Sequence, residues 1–224
     1  MSIASRLNEL LNELPEGVRL VAVSKLHDVS MIREAYDAGQ RLFGENRVQE
    51  LLSKYESLPQ DIEWHFVGHL QMNKVKQIAP FITMVQSADS LRLLEELNRQ
   101  AWKYNRRIRV LLQIHIAQEE HKFGFSFDEI EELLKEGLQK RLPHLCLSGL
   151  MGMATFTDDW EAVRQEFAGL SAFFTKLKTL YFANDPDFKE LSMGMSDDYP
   201  LAIEAGSTLI RVGTKLFGAR DYPA

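Results

Sequence analysis

The 224-residue chain has one cysteine, Cys146, so no intrachain disulfide can staple it. That thiol lies in the apolar stretch His144-Leu145-Cys146-Leu147, where a buried, inert side chain is expected. No apolar run approaches the roughly 20 residues of a membrane span. Met1-Ser2-Ile3-Ala4-Ser5-Arg6 has no apolar core of the secretory-signal kind, so a cytoplasmic location is expected. An excess of basic residues is missing too: 26 Lys and Arg stand against 32 Asp and Glu, a net charge of −6. Nucleic acid and anionic lipid both require a basic face. Neither is an expected partner, and any phosphate must be held by a local site.

No linker, low-complexity tract or composition break divides the chain, so residues 1–224 read as one domain. With 45% hydrophobic residues it can bury a large core. Leu7, Leu10, Leu11 and Leu14 repeat at helical spacing and mark an opening helix stopped near Pro15. Thereafter apolar runs ending near Ser24, Phe43, Phe66, Val85, Ile114, Leu147, Leu191 and Ile210 alternate with helical patterns. Those patterns cover Ser30–Ala38, Arg47–Tyr55, Asn73–Ile78, Ser90–Lys103, Phe127–Leu138, Trp160–Tyr181 and Ser196–Ala205. Ser126-Phe127-Asp128-Glu129 fits a capping box, and Ser196-Asp197-Asp198 places acids in a first turn. Strand–helix alternation implies parallel strands with right-handed crossovers. Eight strands close a (β/α)₈ barrel, whereas five or six make an open doubly wound sheet. Eight runs are counted, with Arg41–Phe43 and Thr83–Val85 the short ones.

In a barrel, chemistry sits at the C-terminal strand ends. Lys25 directly follows the first apolar run. At a strand mouth its amine is partly desolvated, which favours the neutral, carbonyl-attacking form; alternatively its stem lies across apolar surface with the head in water. Ser192-Met193-Gly194-Met195-Ser196 and Arg211-Val212-Gly213-Thr214 follow the last two strands, where barrels commonly hold phosphate. Glycines there permit close backbone approach, a helix start at Ser196 offers its positive end, and Ser192 and Thr214 offer hydroxyls. Either loop by itself is equally a plain glycine turn. Arg211, inside the apolar run Thr208–Val212, needs a partner: a carboxylate or a ligand acceptor. His115, Glu119 and His121 lack HExxH spacing and read as solvated rather than as metal ligands. His65 beside Trp64 reads as a hydrogen-bonded core histidine more readily than as a catalyst. Met151, Met153, Met193 and Met195 read as packing, able to pad an aromatic ring if they border a pocket.

Several ordered segments carry a resemblance. They include Ala22-Val23-Ser24-Lys25, Phe43-Gly44-Glu45-Asn46-Arg47-Val48-Gln49-Glu50, and Trp64-His65-Phe66-Val67-Gly68-His69-Leu70-Gln71-Met72-Asn73-Lys74. Lys122-Phe123-Gly124, Gly149-Leu150-Met151 and Leu191-Ser192-Met193-Gly194-Met195-Ser196-Asp197-Asp198 continue it, as do Gly206 to Thr214 and Phe217-Gly218-Ala219-Arg220. Over nearly its whole length the chain resembles the pyridoxal phosphate homeostasis proteins. The resemblance implies a single fold-type III (β/α)₈ barrel, similar to the alanine racemase N-terminal domain. It implies pyridoxal 5′-phosphate held as a Schiff base on Lys25 and the phosphate taken by Ser192, Gly194, Gly213 and Thr214. Arg211 matches the arginine that faces the pyridine nitrogen, and Asn46 an asparagine near the ring. The implied role is vitamin B6 homeostasis and amino-acid and keto-acid balance without a clear catalytic reaction, with PLP-dependent apoenzymes, amino acids or keto acids as exchange partners and a monomeric chain. The alternative is a weak PLP-dependent racemase or lyase, for which His65 or Tyr199 would be candidate bases.

Residues of this sequence that depart from the family pattern are Leu26-His27, Met72 and Ile114-His115-Ile116; His115 is expected to alter pocket polarity. Two arguments favour binding over turnover. An arginine stays protonated, so a nitrogen facing it remains unprotonated and the ring is a weaker electron sink. A racemase of this fold also draws a second acid/base from an added β-domain. Here eight units use the chain to about Phe217, leaving Gly218 to Ala224, so no such domain and an open cofactor face are expected.

Overall fold

Parallel strands covered on both faces read as largely apolar runs, and the apolar runs of this sequence do form them. The structure, a computed structural model, describes residues 1–118 and 123–218. Helix α1 (Ile3–Glu13) buries Ile3, Leu7 and Leu10 on one face, and the Ser2 hydroxyl accepts the Ser5 N–H at its start. Strand β1 (Arg19–Val23) follows, then α2 (Val29–Asp37), β2 (Leu42–Glu45), α3 (Val48–Ser57) and β3 (Glu63–Phe66). A 3₁₀ turn leads into α4 (Val75–Ile78), then β4 (Met84–Ala88), α5 (Leu91–Lys103) and β5 (Ile108–Ile114). The remaining elements are α6 (Phe127–Lys135), α7 (Leu138–Arg141), β6 (Leu145–Gly152), α8 (Trp160–Tyr181), β7 (Glu190–Ser192), α9 (Tyr199–Glu204), β8 (Leu209–Val212) and α10 (Thr214–Phe217).

All neighbouring strands pair in parallel and in chain order, and β8 closes on β1 from Arg19↔Leu209 to Ala22↔Val212. The eight-stranded closed barrel agrees with the count of apolar runs, the two short ones included. A large buried cluster lies between strands and helices; α8 contributes Val163, Phe167, Leu170, Phe173 and Leu177 to it. A fully buried side chain of this kind contributes about 1.5–3 kcal/mol. A separate apolar layer, Val21, Met84, Leu111, Met151 and Leu209, fills the barrel interior. At the N-terminal strand ends the interior is plugged by charge: Glu190 Oε1 lies 2.6 Å from Arg19 and 3.8 Å from Arg109. Cys146 is buried, and burial pushes its thiol pKa up, as an inert side chain requires. No described helix is long and apolar enough to cross a membrane.

Three boundaries differ from the sequence reading. Strand β6 runs to Gly152 instead of ending near Leu147, so Gly149–Gly152 are ladder residues and not a loop. Gly149 has φ +147°, and a Cβ there would lie 1.7 Å from the Glu190 carbonyl oxygen. This glycine marks close approach of two strands rather than a turn. The helix expected from Ser196 begins at Tyr199; Asp198 occupies its N-cap and no acid lies in its first turn. The helix expected over Phe127–Leu138 is broken in two at Gly137. The capping box at Ser126 and Glu129 forms as the spacing predicts.

Candidate functional site

Lys25 sits just beyond β1 in a tight turn whose next residue, Leu26, has φ +64°. A branched side chain in that left-handed region is strained, and a buried network holds it. The Leu26 N–H donates to Glu50 Oε2 at 2.8 Å. Lys54, buried on α3, donates to the Ser24 carbonyl at 2.8 Å and to Glu45 Oε1 at 2.7 Å. The Ser24 hydroxyl donates to that same oxygen at 2.6 Å. Burial raises the Glu45 carboxyl above its usual pKa, with Lys54 opposing. The two ends of the lysine-bearing turn are thereby tied to one helix. Neither Glu45 nor Lys54 was singled out in the sequence, because their pairing crosses from a strand to a helix in the layer behind the pocket.

Lys25 lines a cavity of about 280 Å³ at the C-terminal strand ends, near the lower limit of about 300 Å³ for small-molecule pockets. Asn46, Gly68 and His69 border one side; Met195, Ser196, Arg211 and Gly213 border the other. Among the described lining residues there is no carboxylate, whereas Lys25 and Arg211 both face it. On a chain of net charge −6 this local excess of cations selects an anion. A larger cavity of about 400 Å³ is lined by Asp89, Glu129, Glu132 and Glu136, a set that repels one. Asn46 Oδ1 is buried with no hydrogen-bond partner among the described residues, a cost that a bound donor would relieve.

Arg211 forms part of the floor. Its Nη1 donates to Ser192 Oγ at 2.6 Å and its Nη2 to the Gly152 carbonyl at 3.0 Å. The carboxylate or ligand acceptor anticipated from sequence is, within the protein, a hydroxyl and a carbonyl. Burial lowers the guanidinium pKa to about 10, with Asp198 opposing, so it remains cationic at neutral pH. Ser192 in turn donates to Gln86 Oε1 at 2.6 Å, and Gln86 Nε2 donates to His65 Nδ1 at 2.8 Å. Burial, reinforced by Arg19 and Arg109, pulls the His65 imidazole down to about 3; it is neutral and lies in the core.

The structure thus brings Lys25, Asn46, Arg211 and Gly213 to one cavity. Ser192 lies beneath it, fully buried with its hydroxyl engaged on both sides. Gly194 and Thr214 adjoin the lining through Met195 and Gly213. Gly194 has φ +91°, and a Cβ there would meet Ala202 Cβ at 2.6 Å, so the loop turns where only glycine fits. Thr214 is exposed at the first position of α10, where its N–H has no intrahelical acceptor. His115 is not in the lining; Gln113 is, donating to the Phe123 carbonyl at 2.7 Å. Tyr199 donates to Glu13 Oε2 at 2.6 Å and is bonded by Lys215. His69, unassigned in the sequence, borders the cavity with Nδ1 2.7 Å from Asp89 Oδ2 and its ring stacked on Phe123 at 4.0 Å. Glu119 and His121, of the metal set considered above, lie outside the described residues, as do Lys122, Ala219 and Arg220.

Residues 1–221 match the family model described as alanine racemase, N-terminal domain. A pyridoxal phosphate homeostasis protein of Pasteurella multocida is 43% identical over 93% of this chain and 89% of its own length. The chain belongs to the pyridoxal phosphate homeostasis protein family. Another member of that family, from Escherichia coli K12, is 41% identical over 93% of this chain and 88% of its own length. PipY of Synechococcus elongatus PCC7942, solved with PLP bound, superposes with a TM-score of 0.86 at 39% identity, covering 97% of this chain and all of that one. An alanine racemase from Clostridium difficile 630 superposes at 0.76 with 16% identity over 56% of its length, a likeness of fold alone.

Proposed function

We propose that this chain is a pyridoxal 5′-phosphate-binding protein of intracellular vitamin B6 homeostasis, with Lys25 the residue that takes the cofactor. The observation that carries the reading is the cavity itself: in an acidic protein, a lysine amine and a buried arginine line a small cavity with no carboxylate among its described lining residues. The residues fit such a group. A phosphate suits the cationic surroundings, and Asn46 Oδ1, buried without a hydrogen-bond partner among the described residues, would gain from a donor. Gly213 borders the cavity at the end of β8, the strand that pairs with the lysine-bearing β1.

When bound, the cofactor supplies an aldehyde that condenses with an amine and a pyridine ring that accepts developing negative charge. Lys25, held by the Lys54–Glu45–Glu50 network, presents its amine to that aldehyde. Arg211 would offer a donor to an acceptor on the bound ring and, being cationic, would give up no proton at neutral pH. Met195 and Val23 cover apolar surface. The loops at Gly194–Ser196 and Gly213–Thr214 offer backbone N–H groups, and Thr214 its hydroxyl, to the phosphate.

The reading is of a carrier or regulator rather than a turnover enzyme. The two bases considered from sequence are committed elsewhere: His65 accepts from Gln86 in the core, and Tyr199 donates to Glu13. Exchange partners are apoenzymes, amino acids or keto acids reaching the open strand ends of one monomeric domain. Borohydride reduction followed by peptide mapping tests the site. A pyridoxyl adduct on Lys25 is expected, and one on another lysine overturns the assignment. Racemisation of amino acids by purified protein, lost in Lys25→Ala, would replace the carrier reading with the enzymatic one.

A further inference from the structure

We propose that His65, Gln86 and Ser192 form a buried positioning relay that fixes the orientation of the Arg211 guanidinium at the floor of the cavity. The inference rests on the reading of that cavity as the cofactor site and adds to it the residues that aim its cation.

The four side chains come from β3, β4, β7 and β8 and meet inside the barrel. Their links run Arg211 Nη1 to Ser192 Oγ at 2.6 Å, Ser192 Oγ to Gln86 Oε1 at 2.6 Å, and Gln86 Nε2 to His65 Nδ1 at 2.8 Å. All four are buried. The direction of every link is forced from one end. A guanidinium only donates, so Ser192 accepts from it and spends its own proton on an acceptor. That acceptor must be the amide oxygen of Gln86, which turns the amide nitrogen toward His65. His65 must then keep Nδ1 unprotonated and carry its proton on Nε2. The imidazole remains neutral through the physiological range because burial and the cations of Arg19 and Arg109 oppose its protonation. Gln86 therefore has no reason to flip, and Arg211 has one fixed partner on Nη1 and a second, the Gly152 carbonyl, on Nη2.

Core stability does not call for this arrangement. The adjacent interior layer is Val21, Met84, Leu111, Met151 and Leu209, the aliphatic filling usual for such barrels. Polar side chains replace aliphatic ones here, in the layer that supports Arg211 under the cavity, and at the opposite end of the barrel, where Glu190 pairs with Arg19 and Arg109. Side chains linked in this way at that depth favour one geometry, because breaking a link leaves a buried polar group unpaired.

The test begins with the wild-type protein free of cofactor. Side-chain ¹⁵N NMR should show His65 as the Nε2–H tautomer with an accepting Nδ1, without titration between pH 5 and 8; a protonated Nδ1 overturns the relay without touching the assignment of Lys25. Next, Gln86→Leu and His65→Leu should mobilise the Arg211 side-chain signals in the same cofactor-free protein. With pyridoxal phosphate added they should shift its absorption band and speed its loss about tenfold, the effect of one well-made buried hydrogen bond. His65→Asn, whose side-chain oxygen can accept from Gln86 at the same place, should restore both. Unchanged Arg211 signals and an unchanged band in the leucine variants overturn the proposal, even if the borohydride adduct still maps to Lys25. An adduct on another residue, with the relay intact, overturns the cofactor site instead.

Discussion

Lys54 Nζ donates to the main-chain oxygen of Ser24 at 2.8 Å, so a buried ammonium on α3 grips the peptide immediately before Lys25. The same ammonium neutralises Glu45, which is fully buried on the end of β2. Lys25, the residue proposed to take the cofactor, is therefore positioned by a second lysine that does not line the cavity.

Removing that grip should be expensive. Lys54→Met leaves Glu45 without its cation, and breaking a buried ion pair from one side typically destabilises by about 3–5 kcal/mol. Urea denaturation should show that loss, and the yield of borohydride adduct at Lys25 should fall with it. A Lys54→Met/Glu45→Gln double variant should recover part of the stability. If the single variant unfolds at the wild-type midpoint, the pair does not hold the turn.

Acid should weaken the fold partly through His65. Its folded pKa of about 3 lies below the ordinary histidine value of 6.5, so between those values the unfolded chain binds a proton that the folded chain refuses. Stability from this group is complete above pH 6.5 and declines as pH falls toward 3, at a slope approaching about 1.4 kcal/mol per pH unit. Denaturation midpoints across this range should fall less steeply in His65→Asn than in wild type. Parallel profiles would show that His65 titrates normally.

Gly194→Ala forces a side chain into φ +91° and against Ala202 and the Tyr199 backbone. A loss of about 1–3 kcal/mol, measured by thermal unfolding, should accompany faster release of pyridoxal phosphate, because the loop displaced is the one at Ser196. Wild-type release would mean that this loop holds no phosphate.

Thr214 and Ser192 should separate cleanly. Thr214→Ala should weaken cofactor retention by about 1–3 kcal/mol and leave the absorption band in place, the outcome expected of the proposed contact between its hydroxyl and the phosphate. Ser192→Ala should move the band through Arg211. Stopped-flow release and absorption spectra read both, and a shifted band in Thr214→Ala would contradict the placement.

The sequence reveals the barrel because strands buried on both faces leave uninterrupted apolar runs, and because helices such as Trp160–Tyr181 end where their periodicity ends. Lys25 and Arg211 stand out there as charges at the ends of, or inside, such runs. The end of β6 was obscured since glycines that admit a neighbouring strand look like glycines that make a turn. Ser192 reads as a loop hydroxyl but faces inward, as the final residue of a three-residue strand. Its bond to Gln86 spans 106 positions of sequence and exists only once the barrel closes, so no local pattern announces it. The Glu45–Lys54 pair is hidden differently: both residues sit in segments whose apolar neighbours set the pattern, and each by itself looks like a surface charge.

The apolar interior layer and, below it, the ion-paired Arg19, Glu190 and Arg109 make the barrel a cup rather than a tube. Cargo that enters at the rim must leave by the rim, so loading and unloading share one doorway. Any small anion lodged there should slow arrival and departure alike.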